Sequence, residues 1–437
     1  MRFGIVLMMI ALALPGIRLN AQDNEATSPL PAPPIKAEPT LPPRLPLEEL
    51  RVFAEAFDRI RQAYVEEIDD QKLLENAIKG LLSQLDPHSA FLDESSFNDL
   101  QETTTGNYGG LGIEIGTENG LIKVISPMDD TPASRAGILP GDLIIQIDGN
   151  AVKSMDVGDA VDQMRGEPGS PVELMIMREG ESAPLGKTLI REVIKIASTR
   201  QRILETGYGY VRIAQFQADT GAEVRKAIDE LQQSDTIKGL VLDLRNNPGG
   251  VLQAAVQVSD LFLESGLIVY TEGRIENAAM QFTASSGGLL TDIPIVVLVN
   301  EGSASASEIV AGALQDHKRA IILGTTTFGK GSVQTVLPLT NKKAIKLTTA
   351  LYFTPKGRSI QAEGIVPDIW VDRSTVTKIK NNPFKMQERN LPGHLQQPGS
   401  EEAEPEHDDT VSARLASNDF QLNEALILLK GINILAR

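Results

Sequence analysis

The sequence predicts an α/β core that carries an inserted β-rich domain and is flanked by helical N- and C-terminal regions. Three observations predict it. Continuous apolar runs at Gly239–Leu244, Ile293–Val299 and Ala320–Leu323 each end in a Gly- or Ser-rich turn, and the first two lead into helical segments. Residues 106–193 are instead turn-rich and strand-like. Outside these stretches, apolar residues recur at helical spacing.

Composition narrows the function classes. The 437 residues amount to roughly three domains at about 150 residues each. With 41% hydrophobic and 23% charged residues the chain is neither wholly disordered nor a multi-span membrane protein. Lys and Arg number 41 against 58 Asp and Glu, a net charge of −17, which argues against nucleic acid and anionic lipid as partners. The absence of Cys removes thiol catalysis, disulfide frameworks, thiolate zinc and iron–sulfur clusters. Four His are present (His88, His317, His394, His407), none in an H-E-x-x-H pattern, and nothing points to a metal or another cofactor.

Taken in order, residues 1–21 read as a secretory signal: Arg2, an apolar run Ile5–Leu14, then small or polar residues around Ala21. Cleavage after Ala21 is expected, with an uncleaved anchor as the alternative, and the location expected is the periplasm or cell envelope. Residues 22–46 form a Pro-rich linker, an extended tether. Residues 47–105 form a helical region. Leu50, Phe53, Phe57, Ile60 and Tyr64 mark one amphipathic helix, and Leu73, Leu74, Ala77, Ile78, Leu81, Leu82 and Leu85 a second, stopped by Pro87. So short a hairpin needs another surface, on the same chain or on another subunit; both readings stand. The core occupies 194–375. Residues 376–437 contain an acidic linker, Gln396–Thr410, and a final amphipathic helix over Ala413–Leu435.

Within 106–193, YGGLGIEI places a glycine-lined loop before an apolar strand. SPMDDTPASRAGILPGDLIIQIDGN then reads as a short helix closed by Gly137, a Pro140-Gly141-Asp142 turn, a strand Leu143–Ile147 and an Asp148-Gly149 turn. Together these segments resemble a PDZ domain. In such a loop, successive N–H groups converge on a carboxylate while the following strand edge accepts a peptide. The resemblance implies that Gly110, Leu111, Gly112 and Ile113 hold a peptide C-terminus. Arg165, in QMRGEPG, either faces that peptide or is a solvated surface residue.

The chemistry-bearing positions cluster after the three apolar runs, where ligands gather in α/β sheets. Gly249-Gly250 lets backbone N–H groups approach a ligand just before a helix. Ser305 sits at another strand-to-helix turn. It reads either as an exposed nucleophile or, with Glu308 three residues on, as an S-x-x-E capping box. Lys330 lies between two glycines. It reads either as a surface lysine or as a general base, which requires a desolvated pocket that lowers its pKa from about 10.4 to about 7–8. Gly324-xxxx-Gly329-Lys330 matches part of a phosphate-binding P-loop, but Gly331 stands where Ser or Thr is needed, and SVQTVLPL alternates as a strand does.

Asp243-Leu244-Arg245-Asn246-Asn247-Pro248-Gly249-Gly250, Ser305-Ala306-Ser307-Glu308-Ile309 and Phe328-Gly329-Lys330-Gly331-Ser332-Val333-Gln334, with LDPHSAFL and QLNEAL, resemble the carboxyl-terminal processing proteases from about Leu47 to Leu435. These are tail-specific, PDZ-containing serine endopeptidases. The resemblance implies a Ser–Lys dyad with Ser305 as nucleophile, Lys330 as base and Gln334 orienting the lysine. The N–H groups of Ala306 and Gly250 would form the oxyanion hole, with Gly249 not yet distinguished from Gly250. The PDZ domain would grip apolar C-terminal tails of envelope proteins and gate activity. It also implies protein or peptide substrates with exposed C-termini and a homo-oligomer built through the terminal helices; an adaptor that delivers substrates is left open. The alternative is a non-catalytic PDZ scaffold that binds peptides.

Overall fold

The computed structural model describes residues 46–118, 120–155, 157–275, 279–374 and 418–436, together with 392, 395 and 415. The expected signal, almost all of the Pro-rich linker and the acidic linker at Gln396–Thr410 lie outside the described residues. Among the described residues, no helix is long and apolar enough to cross a membrane.

Residues 1–73 and 74–437 form two units. In the first, α1 (Leu47–Ala63) follows the predicted periodicity, yet none of its residues is buried, and Leu50, Phe53, Ile60 and the following Tyr64 are exposed. Next comes α2 (Asp70–Ser83), then β1 (Ala90–Leu92) and α3 (Glu94–Thr105). The sequence reading did not single out α3, because ESSFNDLQETTT has too few apolar residues for a clear period. Its ends are marked instead: the Asp93 side chain accepts the Ser96 N–H at 3.0 Å, and Gly106 closes the helix at φ 72°.

The inserted domain runs through β2 (Asn107–Gly110), β3 (Ile113–Glu118), β4 (Leu121–Pro127), α4 (Pro132–Arg135), β5 (Leu143–Ile147), β6 (Asn150–Ala151), α5 (Val157–Met164), β7 (Pro171–Met177), β8 (Leu185–Ile190) and β9 (Glu192–Lys195). Strands β3-β4-β5-β7-β8 form one antiparallel sheet, with β6 beside β5, and β2 pairs with β9 where the domain joins the rest of the chain. Ile122, Val124, Ile144, Ile147, Val172, Leu174 and Ile176 supply a core of its own.

The remaining elements are β10 (Thr199–Glu205), β11 (Tyr208–Ile213), α6 (Thr220–Ser234), β12 (Gly239–Asp243), α7 (Leu252–Asp260), β13 (Gly266–Gly273), β14 (Gln281–Ala284), β15 (Ile295–Val299), α8 (Ala306–Asp316), β16 (Ile321–Gly324), β17 (Ser332–Pro338), β18 (Ala344–Phe353), β19 (Ile369–Trp370) and α9 (Phe420–Leu435). A six-stranded sheet has the order β10-β11-β12-β15-β16-β19, parallel from β11 onward. The strands β12 and β15 are buried along their whole length, as continuous apolar runs in a covered parallel sheet should be. The helices α6, α7 and α8 pack on one face around Ile228, Leu240, Leu242, Val258, Val297 and Leu314. On the other face α9 lays Leu422, Ala425 and Leu429 over Val241, Val296 and Leu298. Helix α9 is described from Phe420, where the Asp419 side chain accepts the Leu422 N–H at 3.1 Å, and the expected start at Ala413 lies outside the described residues.

A second, antiparallel sheet, β1-β18-β13-β14 with β17 on β18, completes the fold. The residues after Lys330 form β17, which removes the P-loop reading: no helix N-terminus follows that lysine.

Candidate active site

The three predicted loops meet. The segment after β12 carries Gly249 and Gly250, the turn after β15 carries Ser305, and the loop between β16 and β17 carries Lys330. Gly249 lies directly against the Ser305 turn: a Cβ there would sit 2.7 Å from Ser305 Cβ and 3.0 Å from the Ala306 nitrogen. Ser307 Oγ donates to the Asn247 carbonyl at 3.0 Å, and the Ala304 N–H reaches the same oxygen at 2.9 Å. The glycine segment and the serine turn are therefore one hydrogen-bonded body.

Ser305 holds φ 56° and ψ −112°, a conformation that costs a non-glycine residue about 1–3 kcal/mol. It is half-buried and precedes the first residue of α8. The S-x-x-E segment forms a capping box at the start of α8. Glu308 Oε2 accepts the Ser305 N–H at 2.7 Å, while the Glu308 N–H goes to the Ser305 carbonyl at 2.9 Å.

Glu308 does more than cap. Its fully buried carboxylate also accepts Thr327 Oγ1 at 2.6 Å, the Gly329 N–H at 2.7 Å and the Lys330 N–H at 2.9 Å. One side chain thus joins the serine turn to the lysine loop, and the Phe328 N–H, donating to the Ser303 carbonyl at 3.0 Å, adds a second tie. The S-x-x-E spacing was visible in the sequence; that its acid also binds a loop some twenty residues on was not.

Lys330 is half-buried, and burial lowers its pKa. Lys346 lowers it further, while Asp86 and Glu308 oppose the shift. The lysine carbonyl accepts the hydroxyl of Tyr352, a side chain that the sequence reading had not placed here. Burial and the Glu308 charge raise the Tyr352 pKa well above the ordinary range, and a hydrogen bond with the Ser305 side chain works against that. The LDPHSAFL segment closes this side. Burial pushes the Asp86 carboxyl upward, but hydrogen bonds from Ser89, His88 and Thr348 outweigh it and leave its pKa lowered. Burial and the Lys330 charge hold His88 below the ordinary imidazole value.

Other predicted positions fall as follows. The Gln334 amide donates to Ser332 Oγ at 3.0 Å and Thr348 Oγ1 at 3.3 Å, not to Lys330. No hydrogen bond joins the Ser305 and Lys330 side chains among the described residues. The two glycines differ. The Gly249 N–H is buried and taken by Asn247 Oδ1 at 2.9 Å, whereas Gly250 is exposed and its N–H has no acceptor among the described residues. Arg165 and the four loop residues Gly110, Leu111, Gly112 and Ile113 line one cavity of about 150 Å³ in the inserted domain. The Arg165 guanidinium stacks 5.1 Å from the Tyr108 ring centroid and pairs with Glu102 of α3 at 3.3 Å. Leu111 and Gly112 have no acceptor for their N–H groups among the described residues.

Residues 207–371 match the family model of peptidase family S41, 123–178 that of the PDZ domain, and 19–96 that of the activating protease CtpB N-terminal domain. A peptidase core with this inserted module defines a PDZ-containing serine-type peptidase. The chain is 48% identical over 388 residues to the carboxy-terminal-processing protease of Bartonella bacilliformis, covering 88% of this chain and 89% of that protein. It is 34% identical to the carboxy-terminal processing protease CtpA of Bacillus subtilis, over 74% of this chain and 69% of that one. Among solved structures, a photosystem II D1 C-terminal processing protease shares 33% identity at a TM-score of 0.44, covering 74% of this chain and 93% of that one. The chain belongs to the carboxy-terminal processing proteases.

Proposed function

We propose that the protein is an exported endopeptidase that takes hold of apolar C-terminal tails through its PDZ domain and cleaves envelope proteins by a Ser305–Lys330 acyl-enzyme mechanism. One observation carries this reading: a strained Ser305 turn packed on Gly249 and tied through Glu308 to the lysine loop. Neutral Lys330 takes the Ser305 proton as Oγ attacks the scissile carbonyl carbon. The N–H groups of Gly250 and Ala306 donate hydrogen bonds to the carbonyl oxygen as negative charge develops on it. Collapse expels the amine, which receives the proton from Lys330, and water then hydrolyses the Ser305 ester with Lys330 again as base. Gln334 serves the lysine only once its amide leaves Ser332 and Thr348.

The cavity at Gly110–Ile113 would hold the tail carboxylate on the N–H groups of Leu111 and Gly112, with the last side chain against Leu111, Ile115, Val161 and Met164. Arg165 links that cavity to α3 and so relays occupancy toward the core. The exposed apolar stripe of α1 supports a homo-oligomer, which light scattering tests directly. Residues 1–21 support export, and an adaptor remains a further proposed partner.

The test is cleavage of an unfolded reporter bearing an apolar tail by wild type, Ser305→Ala and Lys330→Ala. Cleavage by wild type alone is expected; activity retained in either variant removes the dyad.

A further inference from the structure

The sheet face opposite α6–α8 carries a charged cluster for which the proposed mechanism has no use. Asp243, the last residue of β12, has a fully buried carboxylate that accepts Tyr210 Oη at 2.8 Å. It also accepts the Arg245 guanidinium through Nε at 3.0 Å and Nη2 at 2.7 Å. The other side of that guanidinium belongs to α9, 174 residues on: Nη1 donates to Asp419 Oδ1 at 2.8 Å and Gln421 Oε1 at 3.1 Å, and Nη2 to Asp419 Oδ2 at 2.7 Å. Gln421 in turn donates to the Val371 carbonyl at 2.7 Å, beside β19.

Arg245 opens the segment that leads to Gly249 and Gly250. Its neighbour Asn246 sits at φ 55° and is exposed, so packing does not hold it. Asn246 exchanges a reciprocal pair of hydrogen bonds with Asn300, at 2.8 and 2.9 Å, and Ser303 Oγ donates to the Leu244 carbonyl at 2.8 Å. A continuous polar path therefore runs from the first turn of α9 through Arg245 to the turn that carries Ser305.

We infer that Asp419 and Gln421 are positioning residues for catalysis: the docked C-terminal helix holds Arg245, and through it the 246–250 segment, in the geometry that seats Gly249 against the Ser305 turn. The C-terminal helix is then an activity-determining part of the enzyme. A bidentate carboxylate–guanidinium pair suits this task because it fixes direction as well as distance. A misplacement of about 1 Å at such a segment costs up to about 100-fold in rate. The inference rests on the Ser305-centred reading above.

The experiment uses the full chain and measures kcat, KM, melting temperature and the labelling rate of Ser305 by a fluorophosphonate. Asp419→Ala should lower kcat and labelling about 10-fold or more while KM stays within about twofold, and Asp419→Glu should recover most of the loss. The Arg245→Ala/Asp419→Ala double variant should match Arg245→Ala alone within about twofold. If Asp419→Ala does not fold, Asp419→Asn carries the expectation at about threefold or more. A folded variant with wild-type kcat, a loss confined to KM, or additive effects in the double variant overturns the inference. Ser305→Ala, assayed in parallel, separates the two failures: activity there removes the nucleophile assignment, whatever Asp419 does.

Discussion

The Glu308 carboxylate accepts the backbone N–H of Lys330 at 2.9 Å through the same oxygen that accepts the N–H of Ser305 at 2.7 Å. The turn after β15 and the loop between β16 and β17 thereby share one anion, and a single buried side chain bridges them. Because that carboxylate is fully buried, replacing it strands several donors at once.

Glu308→Ala should therefore destabilise the fold by about 3–5 kcal/mol and abolish activity. Glu308→Gln keeps the shape but turns one acceptor oxygen into a donor facing N–H groups. It should fold with a lowered melting point and lose at least about 10-fold in kcat. Calorimetry and steady-state kinetics on the two variants check this; wild-type kcat in Glu308→Gln would remove the bridging role.

In the proposed mechanism Lys330 sets the pH dependence. Burial, then Lys346, hold its pKa below the ordinary lysine value, with Asp86 and Glu308 opposing; His88, itself shifted down, adds repulsion when protonated. The activity limb should rise with pH as Lys330 loses its proton and then level off. Between the lowered folded-state pKa and the ordinary value, the unfolded chain binds more protons than the folded one, so this group's contribution to stability rises with pH. Lys330→Met should thus gain most in melting temperature over wild type at low pH, with the gain shrinking as pH rises. A gain that grows with pH would contradict the assignment.

Arg165 lines the PDZ cavity, stacked on Tyr108 and paired with Glu102. The pair is partly solvated, which limits its worth to about 1 kcal/mol. Arg165→Ala should raise KM for a tailed reporter about fivefold and leave an otherwise identical reporter with an amidated C-terminus unaffected. Equal changes on both reporters would make Arg165 a purely structural residue.

Much of this molecule was legible in one dimension. The strands β12, β15 and β17 came from local apolar patterns, since a strand buried on both faces or one must show that in its own residues. The positions of Gly250, Ser305 and Lys330 stood out because each lies next to such a strand, after β12, after β15 and before β17, in a turn with unusual composition. The helix α3 escaped because a mostly polar dodecamer is marked only by its caps.

What the tertiary structure decided is which of these neighbours share an atom. Glu308 was readable as a cap, but its bonds to Thr327, Gly329 and Lys330 depend on β15 and β16 lying side by side. The two glycines differ through the Asn247 side chain, which takes the Gly249 N–H, while the Gly250 N–H has no acceptor among the described residues. Tyr352 and Asp419 enter from β18 and α9, brought to the site only by sheet order and helix docking. Local sequence determines conformations that a few residues can stabilise by themselves. Contacts between distant segments depend on how whole layers pack, and no single window of the chain carries that information.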